Sequence, residues 1–121
     1  MITVDVVKRG LSENLDGLGT LVAAIATAGT LVHTAQAGQV AGCYDEVWLS
    51  AQNNNTSEEV VTVEWGGPEV SKNIIRIVPP KIGPWPLVEG LPLRNSLTIK
   101  VFSTTTNVVT IYGYVNTITE S

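Results

Sequence analysis

Short runs that alternate apolar and polar side chains constrain the fold of this chain more than any other feature. Val, Ile and Thr make up 40 of its 121 residues, and branching at Cβ suits a pleated strand better than a helix. The runs at 46–51, 60–65, 97–103 and 108–115 have a period of two, which places apolar side chains on one face of a strand. The sequence therefore predicts an all-β fold, an antiparallel β-sandwich or a jelly-roll-like barrel.

The first 29 residues differ in character from the rest of the chain. Residues 1–9 are typical of an extended arm or an edge strand. Residues 18–28 fit either one short helix or an extended segment of small residues, because two nearby glycines weaken a helix. We therefore predict an N-terminal arm and linker over 1–29 and a β-sandwich domain over 30–121. A chain of this length has room for a single core.

The tryptophans and tyrosines suggest contact surfaces. Trp48 lies on the strand face opposite its apolar neighbours. Trp85 stands between Pro84 and Pro86 in a predicted loop, because proline lacks the donor that a regular ladder needs. This rigid ring is either an interface anchor or a cover for one open end of the sandwich. Tyr112 and Tyr114 share one face of the last strand, which is either a contact surface or the solvent side of a sheet.

Residues able to carry chemistry are few and scattered. His33 is the sole histidine and has no nucleophile or carboxylate adjacent in sequence, so we expect it to meet solvent or a backbone carbonyl. Cys43 is alone, which excludes an internal disulfide and a zinc cluster. The acidic pairs 45–46 and 58–59 are interpreted as solvated charges at strand ends, because adjacent strand residues point to opposite faces. The sequence predicts no catalytic residue, no metal and no cofactor, and hence no enzyme.

Charge and hydropathy limit the classes of partner. Seven basic and 11 acidic residues give a net charge of −4. The basic residues form no stripe, which disfavours nucleic acid as a partner. The least polar stretch, 18–32, spans only 15 residues, whereas a helix that crosses a membrane needs about 20. We expect no membrane partner. Charged residues make up only 15% of the chain, below the usual figure of about 25%, which suits a chain packed against other chains.

A series of segments then resembles a known class of protein. The series runs through Asp45-Glu46-Val47-Trp48-Leu49-Ser50, Val60-Val61-Thr62-Val63-Glu64-Trp65-Gly66-Gly67, Gly90-Leu91-Pro92-Leu93-Arg94-Asn95, Leu97-Thr98-Ile99-Lys100-Val101-Phe102 and the closing strand 108–115. Over about residues 44–118 it resembles the small capsid decoration (cement) and accessory head proteins of tailed bacteriophages. This resemblance is one of general style and includes no signature motif.

The resemblance implies a structural virion protein, made in the host cytoplasm and bound to the outside of the capsid, where it bridges capsomers. It implies the major capsid protein as partner and self-association as a trimer. An N-terminal arm is able to add a strand to the edge of a neighbouring sheet. The predicted interface residues are Met1, Ile2, Val4, Val6, Val7, Leu11, Trp48, Pro84, Trp85, Pro86, Tyr112 and Tyr114.

Two other functions remain open from the sequence. In the first, Trp48, Trp85, Tyr112 and Tyr114 form a stacking platform of a carbohydrate- or ligand-binding sandwich. In the second, the chain is a tail or head-completion protein that forms rings. Binding of a glycan or other ligand by the isolated monomer would distinguish the ligand-binding module from a decoration protein. Location of the protein in tail rings, with none on the head lattice, would distinguish the tail or head-completion protein.

Overall fold

Two antiparallel sheets face each other in a computed structural model that describes residues 3–38 and 42–120. The strands are β1 (Val4–Gly10), β2 (Thr20–Leu21), β3 (Thr30–Thr34), β4 (Tyr44–Asn53), β5 (Glu59–Trp65), β6 (Asn73–Val78), β7 (Ile82–Leu93), β8 (Thr98–Ser103) and β9 (Val109–Glu120). A single turn of 3-10 helix, Val70–Lys72, precedes β6. The prediction of an all-β sandwich is confirmed, and the sheets remain open rather than closing into a barrel.

The five-stranded sheet has the order β1-β9-β4-β7, and β2 also pairs with β9. The four-stranded sheet has the order β3-β8-β5-β6. The longest ladder joins β4 to β9 from Tyr44↔Ile118 to Asn53↔Val109 without a register shift. This pairing forms the rigid centre of the five-stranded sheet.

The core lies between the two sheets and is built from the apolar side of each alternating run. In β4, for example, Val47, Leu49 and Ala51 are buried while the residues between them are only half-buried. The facing sheet contributes Val61, Val63, Ile99 and Val101, all of which are fully buried. Trp65 packs against this cluster, as its shared face with Val61 and Val63 predicts.

The N-terminal third is part of the sandwich and contains no α-helix in its described residues. Of the two structures predicted for the N-terminal residues, an arm or an edge strand, Val4–Gly10 forms the edge strand, and it pairs along its whole length with β9. Between 18 and 28 the chain contains the two-residue strand β2 and then bends over 25–28, and the buried Val22 donates its backbone N–H to the Val109 carbonyl at 2.8 Å. The short helix is therefore not formed, because β9 and the neighbouring loops supply the backbone partners. Both β1 and β2 are thus part of the five-stranded sheet.

The Pro84-Trp85-Pro86 run lies in β7 and not in a loop, which corrects the prediction. β7 is the outer strand of its sheet, and its pairing with β4 shifts register three times. Proline is accepted at edge strands and bulges because its missing donor then leaves no partner unpaired. The prolines thus coincide with an irregular ladder, as their missing donors predict, and the irregular strand lies at a sheet edge.

Buried polar residues hold the connection from β4 to β5, which crosses from one sheet to the other. Asn53 is completely buried, and its Nδ2 donates to the carbonyls of Ser57, Val78 and Pro79 at 3.1–3.2 Å. Glu59 is also buried and accepts from the Thr105 backbone N–H at 2.7 Å. The interpretation of residues 58–59 as solvated charges is therefore wrong for Glu59. Its carboxylate accepts from Asn55 in the β4–β5 loop and from Thr105 in the β8–β9 loop and so joins these two loops.

Candidate functional site

The outer surface of the five-stranded sheet gathers most of the predicted interface residues. Residues opposite each other in a ladder lie on the same face, and the registers Lys8↔Asn116, Gly10↔Tyr114 and Trp48↔Tyr114 place these side chains together. We call this surface the aromatic face and define it by Val4, Val6, Lys8, Glu46, Trp48, Pro84, Pro86, Tyr112, Tyr114 and Asn116.

Two aromatic rings and a cation form the centre of this face. The rings of Trp48 and Tyr114 are nearly parallel, with centroids 6.1 Å apart and an angle of 11° between their planes. Lys8 Nζ lies 4.3 Å from the centroid of the Tyr114 ring, within the range of a cation–π contact. Tyr112 is 42% exposed beside them. One exposed ring and two half-buried rings thus lie side by side on the β4–β9 ladder.

Polar contacts fix the orientation of the indole. Glu46 Oε1 accepts from Trp48 Nε1 and from Asn116 Nδ2, both at 2.9 Å. The bonds from Asn116 and Trp48 favour the charged carboxylate and hold the pKa of Glu46 below its usual value. On the other side, the indole lies over Gly90, where an added Cβ would come within 3.0 Å of the ring. Trp48 is therefore positioned before any partner arrives.

A groove of about 500 Å³ runs beside Trp48 on this face. Its walls include Pro84, Pro86, Tyr112 and Tyr114, four of the predicted interface residues. Trp85 is not among them, because the strand alternation turns its ring toward the core, against which it packs. The Trp85 ring is therefore half-buried against the core and does not stand free on a loop.

The remaining predicted contacts fall elsewhere. Val7 is 47% exposed but points to the opposite side of β1 from Val4 and Val6. Leu11 is only 2% exposed and belongs to the core, so it is not available as a surface contact. Met1 and Ile2 lie outside the described residues.

A second cluster, which the sequence did not indicate, surrounds His33 in a cleft of about 430 Å³. The ring is 3% exposed, and its Nε2 lies 2.8 Å from Asp45 Oδ2. The Ser12 backbone N–H donates to Nδ1 at 2.9 Å, so Nε2 carries the ring proton and donates to Asp45. Ser12 Oγ accepts from the Thr34 N–H at 2.7 Å. Both ring nitrogens are thus occupied, and the cluster fastens the 11–17 turn to β3 and β4.

These contacts correct two expectations from the sequence. His33 meets a carboxylate rather than solvent or a backbone carbonyl, and Asp45 is buried rather than solvated. The residues are 12 positions apart in the chain but adjacent in space. An alternating pattern does not reveal a pair that forms between two sheets, because it carries no information on which strands face each other.

Acid is expected to weaken this cluster first at Asp45. Burial raises the pKa of this carboxyl group, but the hydrogen bonds from His33, Thr117 and Gln36 outweigh it and hold the pKa below the ordinary value of 3.8. The carboxylate therefore stabilises the fold fully above about pH 4, and this contribution is lost as the pH falls through the lower folded value. We expect Asp45→Asn to lower the free energy of unfolding at pH 7 by about 1–3 kcal/mol.

Urea unfolding at pH 7 and pH 3 checks this expectation. The difference between the wild type and Asp45→Asn should shrink at pH 3, because the carboxyl group of the unfolded chain is then largely protonated and part of the carboxylate's stabilising contribution is lost. A difference that stays constant would show that Asp45 acts through its shape and not through its charge. Glu13→Gln, on an exposed residue, supplies a matched control.

An aliphatic patch on the outer side of the other sheet was also missed. Val60, Ile75 and Ile77 are 40%, 54% and 56% exposed and lie in adjacent positions of β5 and β6. The alternation of Val60, Thr62 and Glu64 predicts a second face of β5. It does not predict that isoleucines of β6 lie beside that face.

Within residues 3–38 and 42–120, no group of three or more His, Cys, Asp or Glu side chains is placed to hold a metal ion. The same residues include no helix with the length and apolarity needed to span a membrane. No family model matches the sequence, and comparisons with curated proteins and with solved structures found no significant match.

Proposed function

We propose that this protein is a structural virion protein that binds the outside of a tailed-phage capsid and stabilises the shell by bridging capsomers. The observation that carries the proposal is the aromatic face, where seven of the predicted contacts lie together on one rigid sheet. Tryptophan and tyrosine dominate the energy of protein interfaces because they bury large areas at little entropic cost.

The pre-positioned rings support a docking role. Trp48 is held by Glu46 and by the close approach of Gly90, so little side-chain freedom is lost when a partner covers it. Many copies bound to one shell would each bury a modest area. Their combined effect would favour the assembled state, because binding to one state stabilises it by mass action.

The charge supports a location on the exterior and the major capsid protein as partner. A net charge of −4 repels packaged nucleic acid and provides no electrostatic attraction to it. The protein would be made in the host cytoplasm and join the shell after or during assembly.

Disruption of shells measures the proposed activity. Empty shells of the cognate phage are heated with and without saturating protein, and the release of capsid subunits is followed by light scattering. We expect the added protein to raise the temperature of disruption. An unchanged temperature at full occupancy would exclude a stabilising role, and absence of binding would exclude the proposal altogether.

A second candidate function is favoured by the groove beside Trp48. Nearly parallel rings with a carboxylate and an amide at their edge are able to stack on a sugar ring and bond its hydroxyls. Titration of the isolated protein with an oligosaccharide library, followed by tryptophan fluorescence, tests this carbohydrate-binding alternative. Saturable binding that is abolished by Trp48→Ala would favour it over the capsid role.

A further inference from the structure

Among the described strands, β1 has the longest run of regular pairing at a free sheet edge. β7 contains prolines and register shifts, β3 has only five residues with a register shift, and β6 pairs through six positions. Prolines, short strands and register shifts disfavour pairing between sheet edges, and so do inward-pointing charges such as Asp5 and Arg9 of β1 unless a partner strand neutralises them. β1 pairs with β9 through seven consecutive positions without a shift and contains no proline.

The side chains of β1 are also left uncovered on both faces. Val4, Val6 and Val7 are 56%, 60% and 47% exposed, and no residue of the strand is buried. Within the described residues, neither Asp5 nor Arg9 has an ion-pair partner. A regular strand with exposed valines on both sides and unpaired charges is suited to a neighbour that continues the sheet.

We propose that this neighbour is a second copy of the chain, paired antiparallel through β1 about a two-fold axis at Val7. Antiparallel neighbours in a continuous sheet must place opposite residues on the same face. With Val7 opposite its own copy, all seven positions of β1 find a partner. Asp5 then stands opposite Arg9 of the second copy, and the reciprocal pair forms on the other side of the axis.

This register satisfies the charges of the strand. Opposite positions bring Cβ atoms to about 5 Å, where unlike charges attract and like charges repel. Val6 stands opposite Lys8, whose ammonium group is turned toward the Tyr114 ring of its own chain. The two copies would form one ten-stranded sheet with both aromatic faces on the same side. This interface forms a dimer, whereas the resemblance implies a trimer. The inference depends on the residues of β1 and does not depend on the proposed binding to a capsid.

Sedimentation equilibrium of the purified full chain and of a charge-exchange series tests the interface. We expect a dimer for the wild type. Asp5→Arg should raise the dimer Kd about tenfold or more, because two attractive pairs become repulsive. Asp5→Arg combined with Arg9→Asp should restore the Kd to within about threefold of the wild type. Asp16→Arg makes the same charge change on an exposed residue outside β1 and should leave the Kd unchanged.

Three results would overturn the proposal. One is a wild type that sediments as a monomer up to about 1 mM, or as a trimer. Another is a Kd that Asp5→Arg leaves unchanged. The third is failure of the double variant to recover when circular dichroism shows both variants folded. Because the measurement uses the chain without shells, its outcome is separate from that of the capsid proposal.

Discussion

Trp48→Ala should weaken binding to capsid shells by about 30-fold or more, equivalent to about 2 kcal/mol or more. The substitution removes the ring at the centre of the aromatic face and leaves Glu46 without its indole donor. The affinity is measured by co-sedimentation of labelled protein with assembled shells. Since Trp48 is half-buried and lies outside the core cluster, the variant should still fold.

Val70→Ala is the control for this measurement. Val70 is 84% exposed in the 3-10 helix next to the other sheet, so its truncation should leave the affinity within about twofold of the wild type. Equal loss in both variants would indicate a general effect of exposed apolar area. An unchanged affinity for Trp48→Ala, with a native circular dichroism spectrum, would remove the aromatic face from the interface.

Asn53→Ala should lower the free energy of unfolding by about 3 kcal/mol. Its buried amide donates to three carbonyls, and its Oδ1 accepts from the Asn55 backbone N–H at 2.9 Å. Alanine leaves these groups unsatisfied where the chain crosses between the sheets. Urea denaturation with a two-state fit measures the change.

Asn54→Ala provides the matched control, because it removes the same side chain from the next position. Asn54 is exposed, and its side chain makes only a 3.4 Å contact with Gln52. Its cost should stay within about 0.5 kcal/mol. Similar losses for the two variants would mean that the loop is sensitive to any change and that the buried amide has no special part.

The strands of the core could be predicted because their pattern is local. Val61, Val63 and Trp65 alternate with more polar residues, and a period of two gives both the strand and its buried side. What the pattern lacks is the assignment of strands to sheets. β4 and β5 are neighbours in sequence but lie in different sheets, so the connection between them is not a hairpin.

The candidate site could be predicted in part for the same reason. Trp48, Tyr112 and Tyr114 stand on the polar side of alternating runs, and the β4–β9 register then brings them together. Leu11 and Trp85 were misplaced because they lie where local periodicity is weak, near a turn and among prolines. The His33–Asp45 pair depends on contact between strands of opposite sheets, which no local pattern encodes.

Cryo-electron microscopy of shells saturated with the purified protein tests the central claim most directly. The account predicts added density on the outer surface only, with the sheet of β4 and β9 turned toward the capsid and Trp48 covered by it. Shells without added density, or density in which the aromatic face points to solvent, would contradict it.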